Sequence, residues 1–546
     1  MAGYQLSTVD LSTKQNPGHN IFNMFYYKTI LILITISNYF FWQPQALRNM
    51  TMINKARAYY VSPSGNDKNE GTRNSAFQSI QRINSLLLKP GDSILFEGDR
   101  QFVGSLKINF DNSGDQFHPI LISSYGKGYA SIYSGNESAI LIHKSNWLVI
   151  SKLKLTGSGR KKGNTHDGIL IQNSRHISAD SLMISGFQKS GLLISSSEDI
   201  SVTNIFAYEN GAAGISVEGT YAVKKSNHNI YISHCRAENN PGDPSNLTNH
   251  SGNGIVVGSC SKVLIEYCTA TNNGWDMPRI GNGPVGIWAY EADSVIIQHC
   301  LSYRNKTSKG AADGGGFDLD GGVTNSIVQY CLSYENQGAG FCIFQYLYAS
   351  PWHDNIFRFN ISVNDGNVSD AGAGLYIWNS SRDSNQFDNS LVYNNTIYNS
   401  KAAAVSFSEL SKRKGFAFYN NIFVGKDSLV KGNMGDDLFI GNDWWSLNKR
   451  FNIEGKTDFK SWAKLTGREM ISGKLKGQNR NPEFKASGIA GLTSASALRR
   501  FGHYKISPKS PLRNSGINLL GKFGIHTGGL DFNSGIPPAE GIGASF

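Results

Sequence analysis

The segment DGGGFDLDGG, Asp313 to Gly322, concentrates acid where a solenoid would normally place Ser, Thr or Asn. Asp318 and Asp320 stand two residues apart, and on an extended strand that spacing places both side chains on one face with Cα atoms about 7 Å apart. Carboxyl pairs roughly 5 to 9 Å apart perform glycoside hydrolysis, one as acid and the other as base or nucleophile. Their mutual proximity raises one pKa and helps keep that group protonated. The same acids suit Ca2+, which takes several carboxylate oxygens. A lyase would use Asp313, Asp318 and Asp320 as metal ligands to neutralise a uronate, and a nearby base to remove the proton alpha to it. A third reading is purely structural, with the acids accepting hydrogen bonds from turn amides. Glu291, Asp313 and His353 are auxiliary candidates.

These residues are positioned by a repeat. The pattern Gly, apolar, variable, apolar, variable recurs as GILIQ from Gly168, GLLIS from Gly191, GISVE from Gly214, GIVVG from Gly254 and GIWAY from Gly286. It continues as GFDLD from Gly316, GFCIF from Gly340, GLYIW from Gly374 and AVSFS from Ala404. The offsets are 23, 23, 40, 32, 30, 24, 34 and 30 residues, a coil of about 23 residues with insertions. A second strand follows each first one in phase, for example YISHCRAENN, VLIEYCTATNN and VIIQHCLSYRN. Short strands between Asn- and Gly-rich turns can bury their apolar sides only by stacking coil on coil. The fold expected is an all-β parallel β-helix.

Alternation of period two sorts the repeat. The second and fourth places, such as Ile287/Ala289 and Phe317/Leu319, are apolar and predict the core. The third and fifth places should face solvent on one side, stacked about 4.8 Å apart per rung. In the central rungs they hold Trp288, Tyr290, Asp318, Asp320, Phe344, Tyr376 and Trp378. Exposed aromatic rings in a row make a platform for flat sugar faces. Insertions at about 220 to 250, 259 to 284, 303 to 314 and 346 to 371 should wall a groove beside it. Closure of one end by the 220 to 250 insertion would favour action from chain ends. The alternative is that loops and tail simply bury the aromatics.

Cys235, Cys268, Cys300 and Cys331 occupy one place in successive second strands, later taken by Asn360, Asn395 and Asn421. This reads as an inward structural column. Neighbouring rungs are near enough for a disulfide, and the paired spacing of zinc-binding thiols is missing. Residues 76 to 88 (AFQSIQRINSLLL) predict an amphipathic helix capping the first coil. The expected organisation is 1–55 leader and linker, 56–425 β-helix with its cap, and an irregular 426–546 segment packed on the coils.

The formal net charge is +11, which makes an anionic partner electrostatically sensible. A solvated basic surface without a specific partner carries the same excess. Basic residues are scattered and no zinc-finger, helix-turn-helix or arginine-rich pattern occurs, so nucleic acid is not expected. Tyr26 to Phe41 is a basic-headed apolar run shorter than a membrane span. It predicts export to the periplasm, cell surface or medium, with membrane contact only through an uncleaved anchor.

The opening YYVSPSGNDKNEGT and the repeats resemble the pectate-lyase-like right-handed β-helix superfamily of secreted bacterial carbohydrate-active proteins. The closing SPLRNSGINL with FGI and IGA resembles the ends of bacterial exported proteins. The likeness covers roughly residues 59 to 546 and implies the right-handed fold and a carbohydrate substrate. Family-nine pectate lyases place calcium-binding aspartates and a catalytic lysine around Gly-Phe turns; GGGFDLDGG looks like one such turn but contains no lysine, so that base does not carry over. β-Helix glycosidases with paired carboxylates resemble the site better. The expectation is a polysaccharide-degrading glycoside hydrolase acting on an anionic glycan through Asp318 and Asp320, needing no cofactor. A Ca2+-dependent lyase and a non-catalytic carbohydrate-binding or adhesive solenoid are the rivals.

Overall fold

The structure is a computed structural model, and residues 56–219, 225–366, 372–408, 412–489 and 491–546 are described. The apolar run Tyr26 to Phe41 lies outside the described residues. Thirty-five strands form one continuous hydrogen-bonded system. Its pairings are parallel and run from each coil to the next, as in Ile287↔Phe317, Phe317↔Phe341 and Phe341↔Leu375. The repeat's second places are therefore in register, and the side chains predicted for the core are buried there.

Each coil carries three sheets rather than two. The segment read as one second strand divides at its cysteine, for example into Asn227–Ser233 on the second sheet and Arg236–Glu238 on the third. The bend is made by one residue in the left-handed region, His234, Tyr267, His299, Tyr330, Phe359, Asn394 and Asn420 in successive coils, with φ between 50° and 55°. That conformation costs a bulky side chain roughly 1–2 kcal/mol. Here the cost is offset by stacking, since the rings of Tyr267, His299 and Tyr330 lie 5.1 and 5.0 Å apart from coil to coil.

The cysteine column lies just inside this bend. All six cysteines are buried free thiols, and no disulfide joins the rungs. Where asparagine replaces cysteine, a hydrogen-bond ladder forms. Asn360 donates to Asn395 Oδ1 at 3.0 Å, Asn395 to Asn421 Oδ1 at 2.9 Å, and Asn421 to Asn442 Oδ1 at 2.9 Å. Buried Glu469 ends it by accepting from Asn442 Nδ2 and Trp444 Nε1. A second ladder, Asn210, Asn240, Asn273, Asn305 and Asn336, lines the turn from the third sheet to the first and ends on Asp365.

The N-terminal cap is a single short helix, Ile80–Asn84, capped by Ser79 and burying Ile80 and Ile83. It is shorter than the apolar spacing suggested. At the other end the coil strands run on past Gly425 to Asp443–Ser446, which pairs with Ile422–Gly425. The remaining tail packs Leu512, Ile517, Ile542 and Phe546 against Tyr330, Phe359, Tyr393 and Tyr419. It also packs Leu498, Phe501 and Tyr504 against Tyr303 and Tyr334. The tail thus clads the second and third sheets.

Candidate active site

The register of the first sheet places Trp288 beside Asp318 and Asp318 beside Cys342, with Phe344 beside Trp378. The columns read from the repeat are the columns of the fold. Their exposure differs from expectation. Trp288, Asp318 and Phe344 retain only 3%, 2% and 6% of their surface. The rings are large and the loops between sheets fold against them, so much of the stripe becomes a second, smaller packing layer. Trp288 packs with Ala213, Val256, Val285 and Tyr290, and Phe344 with Ala339, Cys342, Tyr376 and Trp378. The acids lie between these two aromatic patches.

Over this layer is a cavity of about 1440 Å³. Of the residues singled out from sequence, Trp288, Tyr290, Glu291, Asp313, Asp320, Phe344, Tyr376 and Trp378 line it. Asp318 does not. Its strand place points the same way as that of Asp320, but Asp318 is sunk between Trp288 and Cys342, and its Oδ1 is buried without a hydrogen-bond partner. His353 is not in the lining either. A backbone bridge to Thr324 holds it at the corner leading to the second sheet, and its ring meets Asp354 at 2.9 Å.

The second carboxylate at the cavity is Asp313. It takes the left-handed conformation (φ 59°) and is followed by Gly314 at φ 76°, so the chain entering the strand turns sharply and presents the side chain to the groove. Its Oδ2 accepts a hydrogen bond from the Gly283 amide at 2.7 Å. Burial pushes its carboxyl up to about 6, against the pull of that bond. Asp320 Oδ1 accepts from the Gly321 amide at 2.7 Å. Burial, opposed by that bond and reinforced by the charges of Asp313 and Glu291, pushes Asp320 up to about 7. Burial, with Asp320 and Asp313 nearby, raises Asp318 well above the carboxylate range. Burial and its acidic neighbours both favour the protonated form of Asp318.

Glu291 supports a wall. Its Oε1 accepts from the Ser350 amide at 2.8 Å, tying down the loop that carries Tyr346 and Tyr348, both in the lining. Those tyrosines were missed from sequence because they follow GFCIF, beyond the repeating five places. Asp167 was missed likewise; it immediately precedes Gly168 and lines the opposite end with Lys189 and Asp243. Among the described residues no group of three or more His, Cys, Asp or Glu side chains is arranged to hold a metal ion. The set Asp313, Asp318 and Asp320 fails as a cage because Asp318 is sunk beneath the groove.

Residues 59–356 match the model of the Pel9A-like right-handed β-helix region. The chain belongs to that family. Other similarities lie around the same fold. A stretch of 147 residues is 29% identical to the lacto-N-biosidase of Bifidobacterium longum subsp. longum, covering 26% of this chain and 9% of that protein. The match thus spans under a tenth of the curated relative. The crystal structure of a GH136 lacto-N-biosidase from Eubacterium ramulus aligns over 69% of this chain and 68% of its own, at 19% identity and a TM-score of 0.49. That of pectate lyase Pel9A aligns over 90% and 97%, at 14% identity and a TM-score of 0.43.

Proposed function

We propose that this Pel9A-like chain is an exported glycoside hydrolase that cuts a polysaccharide or oligosaccharide with Asp313 and Asp320. The observation that carries the reading is the meeting of these two carboxyls at one aromatic-lined groove, each raised in pKa but by different amounts. Unequal environments separate acid from base in glycosidases. In this reading Asp320, the more strongly raised of the two, carries the proton needed by the leaving oxygen, and Asp313 serves as base or nucleophile. The rings of Tyr290, Tyr376 and Trp378 offer sugar-stacking faces beside them. The local likeness to a lacto-N-biosidase is in keeping with a hydrolase, and the Pel9A-like family match with a carbohydrate substrate. No metal is required in this reading; Ca2+ belongs to the lyase alternative.

The test is product analysis on a panel of glycans. A hydrolase liberates a new reducing end without ultraviolet absorbance, whereas a lyase leaves an unsaturated uronide that absorbs. Absorbing product would overturn the proposal. The pH profile is a second check. Activity should rise as Asp313 ionises near pH 6 and fall as Asp320 loses its proton near pH 7, giving a narrow bell in kcat/KM. A rate that climbs steadily to pH 9 would contradict these roles.

A further inference from the structure

The cavity does not stop at the acids. Its lining continues from Trp378 through Trp288 to Leu193, Ser190 and Asp167 on coils that precede the insertion at about 220 to 250. Asp243, Asn246, Asn249 and His250, from that insertion, stand along the cavity as side wall. From the Ile169 rung to the Ile377 rung the first sheet pairs through seven steps, a length of about 34 Å at the spacing of neighbouring strands. A pyranose unit advances an extended glycan by close to one such step.

The two ends differ in chemistry. One carries the rings of Tyr348, Tyr376 and Trp378; the other carries Asp167, Glu218, Asn246 and Asn249. The lining's acidic and basic side chains are mostly carboxyls, in contrast to the +11 of the whole chain. Carboxyls in the lining are Asp167, Glu218, Asp243, Glu291, Asp313 and Asp320. The one lysine or arginine lining it among the described residues is Lys189. Its ammonium is bound to Asp243 Oδ2 at 2.6 Å, and that carboxylate is also held by Gln188 and Ser245. Among the described residues a row of uronates would find no free lysine or arginine to pair with, and those carboxyls that are ionised would repel it. Hydroxyls, by contrast, find acceptors in Asp167, whose Oδ1 already takes the Ser190 amide at 2.8 Å, and in the neighbouring Asn and Glu side chains.

We propose that the groove takes an extended, uncharged glycan, with ring faces held at the aromatic end and hydroxyls at the Asp167 end, so that the scissile bond lies inside the chain. This rests on the saccharide reading of the same groove.

Calorimetric binding to the full chain and to Asp320→Asn tests it. The probes are cello-, xylo- and manno-oligosaccharides of increasing length, with oligogalacturonates of matched lengths. At least one neutral series should gain about tenfold or more in affinity from its shortest to its longest member. Oligogalacturonates should bind more weakly, and better as salt is added. Asp167→Ala should weaken the longest ligand and leave the shortest unchanged. Tighter binding of oligogalacturonates that fades with salt would overturn the proposal, as would affinity independent of length or no binding by any neutral series. Length-dependent neutral binding without hydrolysis would sink the hydrolase reading alone.

Discussion

Asp320→Asn and Asp313→Asn should each lower kcat/KM by about 10²–10⁴-fold on the glycan that the product screen identifies, the range of positioned acid–base groups. Asp318→Asn should stay within a few-fold of the wild-type rate. All three aspartates sit in one short segment, so the contrast comes from environment. Asp318 is buried between Trp288 and Cys342 and faces no part of the cavity, and burial with its two acidic neighbours favours its protonated form. Asparagine copies the size and neutrality of that acid, so it perturbs little. At Asp313 the same change removes the charge that a base or nucleophile needs, and at Asp320 it removes the proton to be donated. Comparable thermal midpoints in the three variants would establish that the losses are chemical. An Asp318→Asn enzyme as slow as the other two would return the catalytic pair to Asp318 and Asp320.

Asn395→Ala should be among the most damaging single changes away from the groove, lowering stability by about 3 kcal/mol or more in urea unfolding. Its Oδ1 accepts from the Asn360 backbone amide and side chain at 3.0 Å, and its Nδ2 donates to the Phe357 carbonyl at 2.9 Å and to Asn421 Oδ1. Truncation leaves these buried groups unpaired, and each unpaired group costs about 1–3 kcal/mol. The adjoining rungs predict a partial remedy. Cys331 occupies the equivalent place in the same column two coils earlier, its thiol pointing at the Gln329 and Ile297 carbonyls. Asn395→Cys should therefore cost clearly less than Asn395→Ala. Equal losses would mean that shape, and not hydrogen bonding, holds the column.

The coil was legible because its signal is periodic. Alternation in GIWAY, GFDLD and GFCIF separates Ile287, Phe317 and Phe341 from Trp288, Asp318 and Cys342, and the observed register repeats that division residue for residue. The third sheet was not visible. The bend that separates it from the second is a single left-handed residue, and Tyr267, His299 or Phe359 at that place gives no compositional sign of a turn.

By itself the sequence determined the parallel β-helix, its inward and outward columns, the run from cysteine to asparagine, and the stretch of coils where aromatics and acids gather. Local periodicity suffices for these, because each coil repeats the same burial problem. Only the tertiary structure decided which acids meet the groove. That choice depends on loop residues folding onto Trp288, on Asp318 being sunk between Trp288 and Cys342, and on one sharp turn that presents Asp313 at the groove with Asp320. Depth below a loop has no period, so the exposed pair read from spacing alone became one acid from the strand and one from the turn before it.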